Sequence, residues 1–325
     1  MNVVYASNDN YARHLATSMI SLFDKNQDMK EITVYVLSVG IEDESCKRLK
    51  AIADRYGRTL QMMELNDIES RFAYDIDTRG FDISAMGRLF MGTLLPDEVE
   101  RVLYLDCDTV VVQPLRKLWN LDLKGRLLAA VMEPTIYKAV KEEIDLKEEE
   151  PYYNSGVLLI DLKKWRESQA EKRLLDFYGE KNGSLFACDQ DTINGALKGE
   201  ILPMTPRYNF FTNYRYFSYK NLVKHAAWYG AVDKEAFETA KAHPAIIHYM
   251  GDERPWIAGN LNHYRKAYDR YLAQTAWAGT PREKGKELYM LMYHVMDYVT
   301  AVCPEVRWMI SRRLGMKVVD ARKKQ

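Results

Sequence analysis

Short apolar runs alternate along the first half of the chain with stretches whose apolar residues recur every three to four positions. Asn2–Ser7 is a β-rich run, and Tyr11–Phe23 carries its apolar residues at helical spacing. Glu31–Ser38 (EITVYVLS) predicts a strand, Glu42–Tyr56 a helix and Thr59–Leu65 a second strand. Ser84–Leu95 predicts a helix that stops before Pro96, because the residue ahead of a proline is driven out of the helical region. Arg101–Asp106 and Thr109–Val112 bracket a tight acidic turn, and Gly156–Leu162 is a further apolar strand. This alternation predicts an α/β fold, a Rossmann-like, mostly parallel sheet flanked by helices. Such sheets bind ligands beyond the carboxyl ends of their strands, where Asn8-Asp9-Asn10 and Asp106-Cys107-Asp108 both fall.

The second half changes character. Residues 141–150 (KEEIDLKEEE) form a charged segment expected to be exposed, and beyond residue 203 aromatic residues crowd the chain, as in RYNFFTNYRYF at 207–217. No internal repeat or low-complexity linker interrupts it. The last 40 residues predict two helices, Lys286–Ala301 and Pro304–Leu314, and then a basic terminus. A soft boundary near residue 275 therefore separates a main domain, 1–275, from a helical appendage rich in basic and aromatic residues, 276–325.

Composition narrows the classes. With 47% hydrophobic residues in a chain of 325, a large core is available and disorder is excluded. Forty-six basic residues balance 46 acidic ones, so no global field draws the protein to nucleic acid. Residues 286–325 nonetheless carry eight Lys and Arg against four Asp and Glu. The four cysteines make no CxxC pair, which argues against a zinc knuckle or a disulfide ladder. The opening NVVYAS lacks the features of a secretion signal. The apolar stretch Leu288–Val302, interrupted by His294 and Asp297, is shorter than the ~18–20 residues of a membrane span. These features predict a cytoplasmic, non-spanning protein in a reducing compartment. Dinucleotide and P-loop glycine fingerprints are both missing.

Four constellations could carry chemistry. Asp106 and Asp108 are hard oxygen ligands at a strand end, suited to Mg²⁺ or Mn²⁺, although aspartate is also common in ordinary turns. His248, in HPAIIHYMGDERPW, would shift such a site toward Mn²⁺, or would simply be a hydrogen-bonded core histidine. Asn154-Ser155-Gly156 combines an amide with a glycine that lets the backbone approach a ligand, or makes a plain turn into a strand. Asp189-Gln190-Asp191 precedes a helical pattern and fits an N-cap equally well. Arg88 and Arg254, taken singly, read as surface charge.

Together, NVVYASNDNYARHL, ISAMGRLF, VLYLDCDTVV, YYNSGVLLIDLKKW, CDQDTINGALKG, RYNFFTNY and IIHYMGDERPW resemble, in order and spacing, glycosyltransferase family 8 over about residues 1–270. The bacterial galactosyl- and glucosyltransferases of lipooligosaccharide and cell-surface glycan synthesis are the most similar branch. The resemblance implies a glycosyltransferase A type fold and a retaining, Mn²⁺-dependent hexosyltransferase, with Mg²⁺ as the other candidate ion. It implies a UDP-sugar donor, UDP-galactose or UDP-glucose, and a glycan or glycolipid acceptor. It places Asp106, Asp108 and His248 on the metal, and Ala6, Asn8, Asn10 and Tyr11 around uracil and ribose. Arg88 would contact the donor sugar or diphosphate. Asn154, Asp189 and Gln190 would line the reacting carbon, and Gly251 and Arg254 would clamp the diphosphate. The sequence departs from the family's pattern at Asn8, where aspartate is common, at Arg254, where lysine is frequent, at Met86, an aromatic position, and at Glu133, which replaces a shorter acid on the acceptor side.

Two other classes compete: a nucleotidyltransferase acting on a sugar phosphate, which the missing Gly-rich triphosphate loop disfavours, and a non-catalytic module that binds UDP or glycan. The aromatic and basic segment 286–325, with Arg307, Trp308, Arg312, Arg313, Lys317, Arg322, Lys323 and Lys324, suits an anionic membrane surface, which would place the protein peripherally on the inner face of the plasma membrane.

Overall fold

The computed structural model describes residues 1–252 and 254–322. Ten strands form two sheets: β1 (Asn2–Ser7), β2 (Thr33–Ser38), β3 (Thr59–Glu64), β4 (Arg101–Leu105), β5 (Thr109–Val111), β6 (Leu128–Met132), β7 (Tyr153–Asp161), β8 (Ile201–Met204), β9 (Phe210–Phe211) and β10 (Ile246–His248). The larger sheet has the order β3-β2-β1-β4-β7-β6-β8, and the smaller is β5-β10-β9. In the larger sheet the pairings β1–β2, β2–β3, β1–β4 and β6–β8 are parallel, and β7 runs against its neighbours β4 and β6. This is the predicted mostly parallel sheet, and helices cover it. Ala12–Lys25 buries nearly every residue from Ala12 to Phe23, as a helix placed between sheet and neighbouring helices must.

The chain leaves β1 toward β2 on one side and pairs with β4 on the other, so β1 and β4 flank a topological switch point. The antiparallel β7 begins where β4 ends: Val157 opposes Leu105, and the amide of Asp106 donates to the carbonyl of Gly156 at 2.8 Å. Against β6 the register of β7 jumps, Ala130 facing Leu158 but Val131 facing Asn154. Ser155–Val157 thus bulge out of that ladder, the kind of irregularity that re-aims side chains beside a site.

Several local expectations are corrected. Asn154 and Ser155 lie inside β7 rather than in a turn before it. Ile83–Phe90 is a 3₁₀ helix followed by one short α-helix, Met91–Leu94. The tight winding fits the space, since Gly87 stands where a Cβ would lie 3.2 Å from Leu65 and 3.4 Å from Ala6. The segment 141–150 is not wholly exposed, because Lys141, Ile144 and Leu146 are buried. The last helix reaches Arg322 rather than Leu314. Lys323 and Lys324 lie outside the described residues, as do the side chains of Arg312, Lys317 and Arg322. No helix among the described residues is long and apolar enough to cross a membrane.

Candidate functional site

Asp106 and Asp108 follow β4, and β10 lays His248 beside them by pairing antiparallel with β5, His248 against Thr109. His248 Nε2 is 3.1 Å from Asp108 Oδ1 and 3.7 Å from Asp106 Oδ2. One ligand atom from each of the three falls within 4.8 Å of the others, close enough to share an ion. Asp108 Oδ1 is buried with only the poorly aligned His248 Nε2 beside it, which leaves it capacity that a cation would satisfy. Burial raises the Asp108 carboxyl, but the nearby His248 and Arg254 outweigh it and bring it down to about 2. Burial lowers His248, and Asp108 and Asp106 overcome that to raise it. His248 Nδ1 lies 2.8 Å from Asn209 Oδ1, which fixes the ring so that Nε2 faces the acids.

The second half of the site is a polar network on β7 and the helix Cys188–Ala196. Asn154 Nδ2 donates to Glu133 Oε2 and to Gln190 Oε1, both at 2.9 Å. Gln190 Oε1 also accepts from the Ser155 amide at 3.0 Å, and its Nε2 donates to Tyr152 Oη at 3.0 Å and Glu133 Oε2 at 3.2 Å. Asn209 Nδ2 donates to Asn154 Oδ1 at 2.8 Å, joining this network to His248. Burial pushes both Glu133 and Asp189 above the usual carboxylate range.

Asp189 is not the expected N-cap. The helix begins at Cys188 with Ala187 as its cap residue, and the Asp191 side chain accepts from the Ala187 amide at 2.6 Å. Cys188 holds a left-handed φ of 42°, an uncommon conformation for a residue with a side chain and the mark of a constrained turn. Asp189 instead accepts from Ser155 Oγ at 2.8 Å and pairs with Arg88 Nε at 3.1 Å. Nor is Arg88 surface charge. Its guanidinium, 4% exposed, lies 4.3 Å from the Tyr104 ring centroid and donates to Asp106 Oδ1 at 2.8 Å and to the Ser155 carbonyl at 2.7 Å. One cation therefore ties the metal-binding turn to the helix that carries Asp189.

At the end of β1, Ala6 is buried and its carbonyl accepts from the Cys107 thiol at 3.4 Å. Asn8 Oδ1 caps the turn Asp9–Tyr11 by accepting from the Tyr11 amide, while its Nδ2 donates to Asp82. Asn10 is exposed. Tyr11 packs edge-on to Trp256, with centroids 6.4 Å apart, and Arg254 lies 5.9 Å from the same indole. The charge of Arg254 acts on both Asp108 and Tyr11, and its Nε is buried with no hydrogen-bond partner among the described residues. Gly251 has φ +65°, which favours glycine at that turn. Contacts join Arg88, Asp106, Asn154, Asp189, Gln190 and His248, with Asp108 beside His248 and Tyr11 reaching Arg254 through Trp256. Sequence reading missed Tyr104 and Asn209 and gave Ser155 no role of its own; the Arg88 contacts of Tyr104 and Ser155, and the bonds of Asn209 to Asn154 and His248, join residues distant in the chain.

A mostly parallel sheet with an Asp-Asp-His cluster at its switch point is the arrangement of a glycosyltransferase A type fold. The chain belongs to glycosyl transferase family 8, whose sequence model matches residues 2–259, and is a hexosyltransferase of the GT-A fold. It is 28% identical over 280 residues to General stress protein A of Bacillus subtilis (strain 168), covering 85% of this chain and 94% of that protein. It is 25% identical to the lipopolysaccharide 1,2-glucosyltransferase of Escherichia coli (strain K12), covering 93% and 89%. The crystal structure of galactosyltransferase LgtC in complex with donor and acceptor sugar analogs superposes with a TM-score of 0.71 at 26% identity, covering 85% of this chain and 96% of that one.

Proposed function

We propose that the protein transfers galactose or glucose, with retention of anomeric configuration, from a UDP-sugar to a glycan or glycolipid acceptor in a Mn²⁺-dependent reaction. The observation that carries this reading is the Asp106–Asp108–His248 cluster beside the Asn154–Gln190 network. Two carboxylates and an imidazole favour Mn²⁺ over Mg²⁺. When bound, the ion supplies charge stabilisation to the departing diphosphate. Arg254 adds a second positive charge, and its guanidinium fork suits phosphate oxygens. Ala6, Asn8, Asn10 and Tyr11 serve the uridine, Gly251 gives the diphosphate backbone clearance, and Arg88 holds Asp106 and Asp189 toward the sugar.

The hydrogen bonding supports attack by the acceptor on the face the diphosphate leaves. Gln190 uses both ends of its amide within the protein, and Asp189 is held through its Oδ2 by Arg88 and Ser155 while burial raises its carboxyl, which makes either side chain a poor nucleophile toward the anomeric carbon. A leaving phosphate oxygen then takes the acceptor's proton. The test is UDP release from a panel of UDP-sugars, with Mn²⁺ and then with EDTA, without acceptor. Slow hydrolysis of one sugar that EDTA stops is expected; no release and no UDP binding by calorimetry would reject the reading.

Residues 276–325 serve as an appendage that rests against an anionic membrane surface on the cytoplasmic side. In the helix Glu287–Val302 the buried positions include His294, Asp297 and Thr300, while Leu288, Leu291, Met292, Val295, Tyr298 and Val302 are exposed. The inner face thus mixes Met290 and Tyr293 with these polar residues, and an apolar stripe is left facing outward, which an ordinary surface helix would not expose. Two residues leave the predicted basic and aromatic cluster: Arg307 pairs with Asp297 at 2.6 Å, and Trp308 is buried.

A further inference from the structure

A cavity of about 780 Å³ opens beside the site, lined by Pro134, Ile136, Tyr137, Lys141, His225 and Trp228 among others. Its size lies in the range of ligand clefts, roughly 300–1,000 Å³. It starts at Pro134, the residue after Glu133, whose carboxylate holds Asn154 and Gln190. On the opposite flank Tyr137 meets Phe186 edge-on, with centroids 6.2 Å apart, and Phe186 stands three residues before Asp189. The cavity therefore adjoins the Asn154–Gln190 side of the site, and no described residue of the β1 end, where the uridine reading falls, lines it.

Its lining selects a class of ligand. Trp228 and Tyr137 are half-buried aromatic surfaces, amphipathic groups on which the C–H face of a pyranose ring can lie. The lysines are engaged elsewhere. Lys138 pairs with Glu148 at 2.9 Å, and Lys224 pairs with Glu305 at 2.5 Å. Lys141 Nζ donates to the carbonyls of Glu148 and Glu150 at 2.7 and 2.5 Å and lies 5.0 Å from the Trp228 ring centroid. The charged groups of the rim are thus largely committed to protein partners, and the two aromatic faces favour a neutral, hydroxyl-rich ligand. The wall is braced by the last helix, Pro304–Arg322: Trp308 stacks on His225 at 3.5 Å and donates from Nε1 to Asn221 at 3.2 Å.

We infer that this cavity is a subsite for the neutral saccharide units of the acceptor that lie behind the sugar receiving the hexose. The inference rests on the hexosyltransferase reading of the neighbouring site. It makes Trp228 a determinant of acceptor length: a longer glycan gains a stacking contact that a monosaccharide lacks.

The test uses the full chain with UDP and Mn²⁺. Binding of methyl β-galactoside, lactose and lacto-N-tetraose, and of methyl α-glucoside, maltose and maltotetraose, is followed by calorimetry, and transfer to each is followed with the preferred UDP-sugar. In one series the longest member should bind about tenfold more tightly than its monosaccharide, the scale of one aromatic contact. Trp228→Ala should abolish that difference, raising acceptor KM for the long member with little change in kcat, and Trp228→Phe should restore most of it. Equal affinity across both series, or a length preference that survives in a folded Trp228→Ala protein, overturns the subsite. Should Trp228→Ala fail to fold, Tyr137→Leu supplies the same comparison. Saccharide binding that depends on Trp228, with no UDP release from any donor, would uphold the subsite and reject the transferase reading instead.

Discussion

A Cβ placed on Gly156 would lie 2.4 Å from Cε1 of His248, and 2.7 Å from Oδ2 of Asp106. The glycine is the space in which the metal-binding side chains meet. Gly156→Ala should displace both and lower Mn²⁺-dependent UDP release by at least about tenfold, a loss of about 1.4 kcal/mol in transition-state stabilisation. Steady-state assays across Mn²⁺ concentrations check this, and wild-type turnover at wild-type Mn²⁺ affinity would show that the side chains can yield.

Arg88 bridges Asp106 and Asp189 while almost fully buried. Removing one partner of a buried pair leaves uncompensated charge, at a cost of about 3–5 kcal/mol. Arg88→Ala should therefore lower the unfolding midpoint in urea markedly as well as abolish turnover. Arg88→Lys should recover part of the stability but little activity, because one ammonium cannot span both acids and the Ser155 carbonyl. An unchanged urea midpoint in Arg88→Ala would contradict the bridge.

Asp106→Ala and Asp108→Ala should each abolish Mn²⁺-dependent transfer, and calorimetry should show the loss of Mn²⁺ binding. EDTA treatment of the wild-type protein should reproduce the defect, reversed by added Mn²⁺. A double variant with normal turnover would remove these aspartates from the metal site.

Asp191 gives a pH signature. Burial, against the opposing hydrogen bonds of Tyr152 at 2.5 Å and the Ala187 amide, raises its carboxyl to about 7. Between its unfolded value and 7 the folded chain holds a proton that the unfolded chain has lost. This contribution to stability is therefore fully present below the unfolded value and is lost as pH rises through 7. Asp191→Asn removes the titration, so the wild type should lose stability relative to the variant from about pH 4 to 7 and run parallel to it above. Urea melts at a series of pH values measure the difference, and a constant offset would place the Asp191 carboxyl at its ordinary value.

Replacing Lys317, Arg322, Lys323 and Lys324 by glutamine should reduce sedimentation with phosphatidylserine-containing liposomes severalfold while sparing UDP release. At about 1 kcal/mol per basic residue near such a surface, even two of the four would be measurable. Leu288→Asp with Val295→Asp should have a similar effect through the outward apolar stripe. Arg307 and Trp308 are kept intact because they support the fold. Unchanged sedimentation of both variants would leave this segment without a membrane role.

The strand and helix periods, and with them the parallel sheet, were legible because burial on a sheet or a helix imposes a local spacing that side chains must follow. Asp106-x-Asp108 and His248 were legible as chemistry because few side chains can hold a hard cation. What the sequence could not convey depends on pairings between residues far apart in the chain. The bulge in β7 turned an apparent turn at Asn154–Gly156 into part of a strand facing the site. The burial of Arg88 converted a surface-charge reading into a bridge across two acids. The polarity of Glu287–Val302 was likewise open, since a helix with apolar and polar positions does not state which side meets the body. Local sequence determined the elements and the reactive groups of this protein; which groups meet, and which faces are left to solvent, was decided by tertiary packing, because desolvation and charge pairing are properties of neighbours in space.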